Sequence, residues 1–202
     1  NFIANRIGVY GMMVTLEEAR KKKISIEDVD GLTGSLIGRP KSATFRTADV
    51  VGLDTMCFVA NTAYEKCTND PERETFKVPD YLQKMVDNEW LGQKSKQGFY
   101  KKIDKGVIHS IDLDTLEYTP QNKKRYAGVR LAKENVQLKD RLKALAYSDD
   151  PAGEFVWEVT AKALLYSARC LGEISDDIVN IDRAMRWGFG WELGPFEAWD
   201  AI

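Results

Sequence analysis

The chain has 202 residues, 44% of them hydrophobic and 30% charged, which is enough to bury a core in one or two domains and too apolar for a disordered chain. Its 29 basic and 31 acidic residues leave a formal charge of −2, which removes the concentrated positive field that nucleic-acid phosphates require. No apolar run approaches the roughly 20 residues needed to span a bilayer, so an integral membrane protein is not expected.

Residues 2–22 predict a helix that is apolar around much of its circumference. Asn5, Val9, Met12 and Leu16 share one stripe, and Ile3, Ile7, Tyr10 and Val14 share another. Asn5 is then one uncharged amide among apolar neighbours. An unpaired buried amide costs roughly 1–3 kcal/mol, so Asn5 is either satisfied by nearby backbone or held ready for a ligand oxygen. Lys21, Lys22 and Lys23 read as a solvated helix end. Ser25 is placed to cap a second helix, with Glu27 and Asp28 in its first turn.

Gly31, Gly34, Gly38 and Pro40 interrupt the pattern before residues 49–64 resume a helical period. Pro79 opens a further helix through Val86, and Gly92 and Gly98 punctuate the stretch after it. Across residues 104–119 the period changes to alternation, predicting a short hairpin that carries His109, the single histidine. Residues 123–146 predict a solvated helix with a narrow stripe of Leu131, Leu138, Leu142 and Leu145, and Pro151 starts another helix. Cys57, Cys67 and Cys170 are an odd count at spacings that match no metal motif, so reduced thiols in a cytoplasmic protein are expected, with no metal site.

Residues 153–202 paraphrase the beginning. Ile178-Val179-Asn180-Ile181-Asp182 echoes Ile26-Glu27-Asp28-Val29-Asp30, and Phe196-Glu197-Ala198-Trp199-Asp200 echoes Phe45-Arg46-Thr47-Ala48-Asp49. The fold class expected is all-α: two related helical units, residues 1–103 and 151–202, the second cut short, joined by a hairpin and helical connector at 104–150. A chain that starts inside a motif and without Met reads as part of something longer.

Phe2-Ile3-Ala4-Asn5-Arg6, Glu27-Asp28-Val29-Asp30, Gly38-Arg39-Pro40, Ala48-Asp49-Val50-Val51-Gly52-Leu53-Asp54 and Gly92-Gln93-Lys94-Ser95-Lys96-Gln97-Gly98-Phe99-Tyr100 occur in that order. Together they resemble the C-terminal helical domain of 3-hydroxyacyl-CoA dehydrogenases, a fold like the C-terminal domain of 6-phosphogluconate dehydrogenase. The resemblance implies an oxidoreductase of fatty-acid β-oxidation that passes hydride from the 3-hydroxyl of a 3-hydroxyacyl-CoA to NAD. It implies that Asn5 helps hold the substrate oxygen and that Lys94 reaches the cofactor. It also implies that the catalytic histidine, its carboxylate partner and the NAD cradle belong to an upstream domain, so that this part alone is inactive. Larger members carry tandem copies, often beside an enoyl-CoA hydratase domain, and single-copy members self-associate through this domain.

Other residues have plainer expectations. His109 is far along the chain from Asn5 and is expected to have no catalytic role. Gly188-Phe189-Gly190-Trp191-Glu192-Leu193-Gly194 has the wrong last spacing for a dinucleotide fingerprint and follows a helix, so it reads as a helix stop. Asp49 and Asp54 read as residues that orient backbone, and Arg39, Lys41 and Arg46 as a solvated turn or a contact for the CoA head. In the second unit Trp157 falls near the place of Asn5, which makes that unit structural. A non-catalytic helical association module is the rival reading; pure packing would not require Asn5 or Lys94.

Overall fold

The computed structural model describes residues 2–202; Asn1 lies outside them. Helix α1 (Ile3–Lys21) forms the spine of the molecule. Ile7, Met13, Val14 and Leu16 are buried on it, so both predicted stripes find partners. It packs against α8 (Pro151–Arg169), α9 (Ile178–Phe189) and α4 (Leu53–Lys66). The two long helices α1 and α8 are joined by stacked rings, Tyr10 on Tyr166 with centroids 3.7 Å apart.

Beneath that stack lies a buried polar knot. Arg6 donates to Asp70 at 2.6 Å and to the Tyr166 hydroxyl at 2.6 Å, and that hydroxyl donates to Asp70 at 2.6 Å. Glu173 adds an ion pair with Arg6 at 3.1 Å. Hydrogen bonds from Tyr166 and Arg6 hold the Asp70 carboxyl below its ordinary range against the opposing effect of burial. Glu18, fully buried in α1, likewise accepts from Lys162 of α8 at 2.7 Å. Two ionic ties thus fasten the beginning of the chain to its last quarter.

Helix α2 (Ile26–Thr33) starts at Ser25, whose hydroxyl accepts from the Asp28 amide as expected. Residues 49–64 are two helices, α3 (Phe45–Val51) and α4, because Gly52 sits between them at φ +100°. That backbone conformation strains any side chain, and a Cβ there would crowd Asp54 and Lys94. Helix α5 (Asp80–Asp87) follows Pro79. The alternating segment belongs to a three-stranded antiparallel sheet of β1 (Tyr100–Lys102), β2 (Ile108–Ile111) and β3 (Tyr118–Pro120). The expected hairpin is β2–β3, and β1 adds a strand whose pairing begins in the Gly-Phe-Tyr segment.

Residues 123–146 depart from the single helix expected. They form α6 (Ala127–Lys133) and α7 (Leu138–Ala146), with an exposed turn at Val136 between them. The start is not helical because α2 captures its backbone: Glu27 accepts from the Asn122 amide and Asp28 from the Lys124 amide, each at 2.9 Å.

The repeat in sequence is a repeat in hydrogen bonding. Asp30 accepts from the amides of Thr44, Phe45 and Arg46, and Asp182 from those of Phe196 and Glu197 at the start of α10 (Pro195–Trp199). In both units a carboxylate at the end of the echoed segment holds the entry to the next short helix. Removing one partner of the buried knot should expose its importance. Asp70→Ala removes the buried carboxylate that faces Arg6 and leaves the exposed Glu173 as its counter-charge, which should lower the unfolding free energy by roughly 3–5 kcal/mol in urea titrations, while a loss below about 1 kcal/mol would contradict the reading.

Candidate active site

Arg6 points into the knot, and Asn5, one residue earlier on the helix, is turned about 100° away from it. That turn places Asn5, Gly8, Val9 and Met12 along one wall of a cavity of about 370 Å³. The 39–44 loop and Thr47 form a second wall, and Val51, Thr55, Met56 and Val59 a third. The end of α9 closes the cavity with Phe189 and Trp191. Asn5 also lines an adjoining cleft with Phe2, Phe58 and Thr62, so its amide sits where two hollows meet. It is half-buried, and its side chain has no hydrogen-bond partner among the described residues. Such an amide can donate through Nδ2 and accept through Oδ1 toward a guest.

Three sets of contacts hold this arrangement. Helix α9 approaches α1 so closely that a Cβ at Gly8 would fall 2.1 Å from the Phe189 ring, so only glycine lets Phe189 into the cavity wall. The Glu192 amide donates to the Gly38 carbonyl at 2.7 Å, tying the 39–44 loop to the second unit. Asp30 gathers the amides of residues 44–46 and accepts the Tyr100 hydroxyl at 2.7 Å. Burial pushes the Asp30 carboxyl up to about 6 in spite of these bonds.

Lys94 is not in this cavity. It lies in a helical turn at residues 93–95, half exposed, and its Nζ donates to both Asp54 oxygens at 2.5 and 2.6 Å. That hydrogen bond holds the Asp54 carboxyl below its ordinary value. Asp49 orients backbone as expected, accepting from the Phe99 and Tyr100 amides at 2.8 and 2.9 Å, and burial pushes its carboxyl up to about 6.

The three cations of the 39–46 region separate. Arg39 lines the Asn5 cavity, Lys41 is exposed, and Arg46 lies over the Tyr100 ring at 4.3 Å in a different cleft. His109 sits in the middle strand of the sheet, opposite Lys101 and Pro120. Trp157 rests against Tyr147 with centroids 5.3 Å apart. Residues 188–194 are the helix stop that their spacing suggests, with Gly190 at φ +66° ending α9. Phe189 and Trp191 as cavity walls were not legible; the only local signal is two aromatic rings set between glycines at a helix end.

The helical array thus turns an unspent amide and apolar walls toward one hollow. The family model described as "3-hydroxyacyl-CoA dehydrogenase, C-terminal domain" matches residues 2–102, and the chain belongs to the 3-hydroxyacyl-CoA dehydrogenase family. It is 54% identical over 202 residues to the "Probable 3-hydroxyacyl-CoA dehydrogenase" of Bacillus subtilis (strain 168), covering 100% of this chain and 25% of that protein. A "Putative fatty acid oxidation complex trifunctional enzyme" of Rickettsia felis is 26% identical over 200 residues, 97% of this chain and 26% of that protein. A "Probable 3-hydroxyacyl-CoA dehydrogenase" of Deinococcus radiodurans is 46% identical over 101 residues, 50% of this chain and 28% of that protein. The chain therefore spans about a quarter of the length of these relatives. Among the described residues no helix is long and apolar enough to cross a membrane.

Asp30 gives the loop beside the cavity a pH signature. Its folded value of about 6 exceeds the ordinary 3.8, so between those values the folded state binds more protons than the unfolded chain. Its contribution is then full below about pH 4, falls as pH rises toward 6 and is level above. The stability advantage of the wild type over Asp30→Asn, from thermal melts, should be larger at about pH 4 than at pH 7; an advantage that grows with pH would contradict this.

Proposed function

We propose that this chain is the helical, substrate-side portion of an NAD-dependent (3S)-3-hydroxyacyl-CoA dehydrogenase of fatty-acid β-oxidation, acting in the cytoplasm. The observation that carries the reading is the open amide of Asn5 at the mouth of an apolar cavity. In this role Asn5 Nδ2 donates to the substrate 3-oxygen as it passes from hydroxyl to carbonyl, and Asn5 is the catalytic residue of the chain. Val9, Met12 and Val59 take up the acyl chain and keep water from the reacting carbon.

Bound NAD supplies the hydride acceptor. Lys94 is compatible with a place beside it: an ammonium has three donors, two are spent on Asp54, and one N–H is left for a cofactor oxygen. The proton-accepting base and the nucleotide cradle come from outside these 202 residues, so the chain alone turns nothing over. Residues 1–103 and 151–202 act as tandem copies around the 104–150 connector. Their contact through Arg6 and Tyr166 is an internal counterpart of self-association. An enoyl-CoA hydratase domain fits the same assembly as a further partner.

In the protein that includes the NAD-binding portion, Asn5→Ala should lower kcat/KM for a 3-hydroxyacyl-CoA by roughly 100-fold, read as NAD reduction. An unchanged rate defeats the reading. Lys94→Ala should raise KM for NAD several-fold and leave KM for the acyl-CoA in place, and the reverse pattern would remove Lys94 from the cofactor.

A further inference from the structure

Arg39 is the one ionisable residue among those lining the Asn5 cavity. It is half-buried, and among the described residues its guanidinium has neither an ion pair nor a hydrogen bond. The Trp191 ring centroid lies 4.3 Å from the guanidinium carbon. The contrast with Arg6 is direct, since each nitrogen of that buried cation has a partner in Asp70, Glu173 or Tyr166. Burial draws the Arg39 pKa down to about 10, with no counter-charge to oppose it.

We infer that Arg39 makes the cavity a receptor for an acyl chain ending in a carboxylate, an ω-carboxyacyl thioester, an inference that rests on the cavity being the acyl site. With the Trp191 ring at 4.3 Å and none of its N–H groups bonded among the described residues, the guanidinium can offer the two parallel bonds that a carboxylate accepts. Val9, Met12, Val51 and Val59 suit the hydrocarbon in between. Asn5 stands at the junction with the neighbouring cleft, and Arg39 does not line that cleft, so the chain can run from the reacting carbon toward the cation. A single carboxylate balances a single cation. A CoA phosphate brings more charge and a larger hydration shell than this cavity can compensate.

The test uses the full-length protein that carries this chain. kcat/KM is measured for two 3-hydroxyacyl-CoA substrates of equal carbon number, one ending in methyl and one in carboxylate. The wild type should use the carboxylate-ended substrate at least as well. Arg39→Met should lower the carboxylate-to-methyl ratio by roughly 10- to 100-fold, and Arg39→Lys should retain part of it.

A wild type that favours the methyl-ended chain by more than about tenfold overturns the proposal without any variant. So does a ratio that Arg39→Met leaves unmoved. An equal loss on both substrates that disappears with pantetheine thioesters, which lack the CoA phosphates, would move Arg39 to the CoA head and also overturn it. Turnover of neither substrate by the wild type would instead strike the dehydrogenase reading, and this one with it.

Discussion

The molecule is organised by what happens to Arg6. A guanidinium buried between α1 and α8 must be neutralised, and Asp70, Glu173 and the Tyr166 hydroxyl do so from separate parts of the chain. That requirement sets the rotation of α1 about its axis. With the side chain of residue 6 committed to the interior, residue 5 is directed to the cavity. The neighbouring pair therefore divides its labour: each nitrogen of Arg6 has a partner, and the Asn5 side chain has none among the described residues. A helix whose orientation is locked by a buried ion pair can present an unsatisfied amide at a fixed place, which a ligand requires if ordering is not to consume its binding free energy.

The second half of the chain has a larger part in the site than a spacer would. Phe189 reaches the cavity only because Gly8 has no side chain, and Trp191 covers Arg39. The bond from the Glu192 amide to the Gly38 carbonyl carries the constraint into the 39–44 loop. The two units share a local device, an aspartate that gathers the first amides of a short helix, yet they use it differently. In the first unit Asp30 shapes a cavity wall. In the second, Asp182 sets up α10, and Trp157, near the place that Asn5 holds in the first, lies against Tyr147. The echoed segments share this hydrogen-bonding pattern and differ in the side chains placed around it.

Much of this was legible from local pattern. The period of residues 2–22, the cap at Ser25 and Pro151 at the start of α8 are short-range signals, and the structure follows them. The failures share a cause. The segment at 122–126 stays extended because Glu27 and Asp28, almost a hundred residues earlier, capture its amides. β1 is set by its pairing with β2, and the break at Gly52 is one residue wide. At the site, the exposure of Asn5 to a hollow follows from the apolar stripe around it. The position of Arg39 does not, since a loop has no period to read. Phe189 and Trp191 enter through a close helix approach between distant parts of the chain, which no local window contains.

The central claim is that the Asn5 amide is kept open for the oxygen on the substrate's third carbon. A crystal structure of the full-length protein with a 3-ketoacyl-CoA bound addresses it most directly. The account predicts Asn5 Nδ2 within about 2.7–3.2 Å of the 3-oxygen, with the acyl chain lying along Val9 and Met12. A bound ligand whose 3-oxygen lies beyond about 5 Å from that amide, with Asn5 still facing an empty cavity, would contradict it.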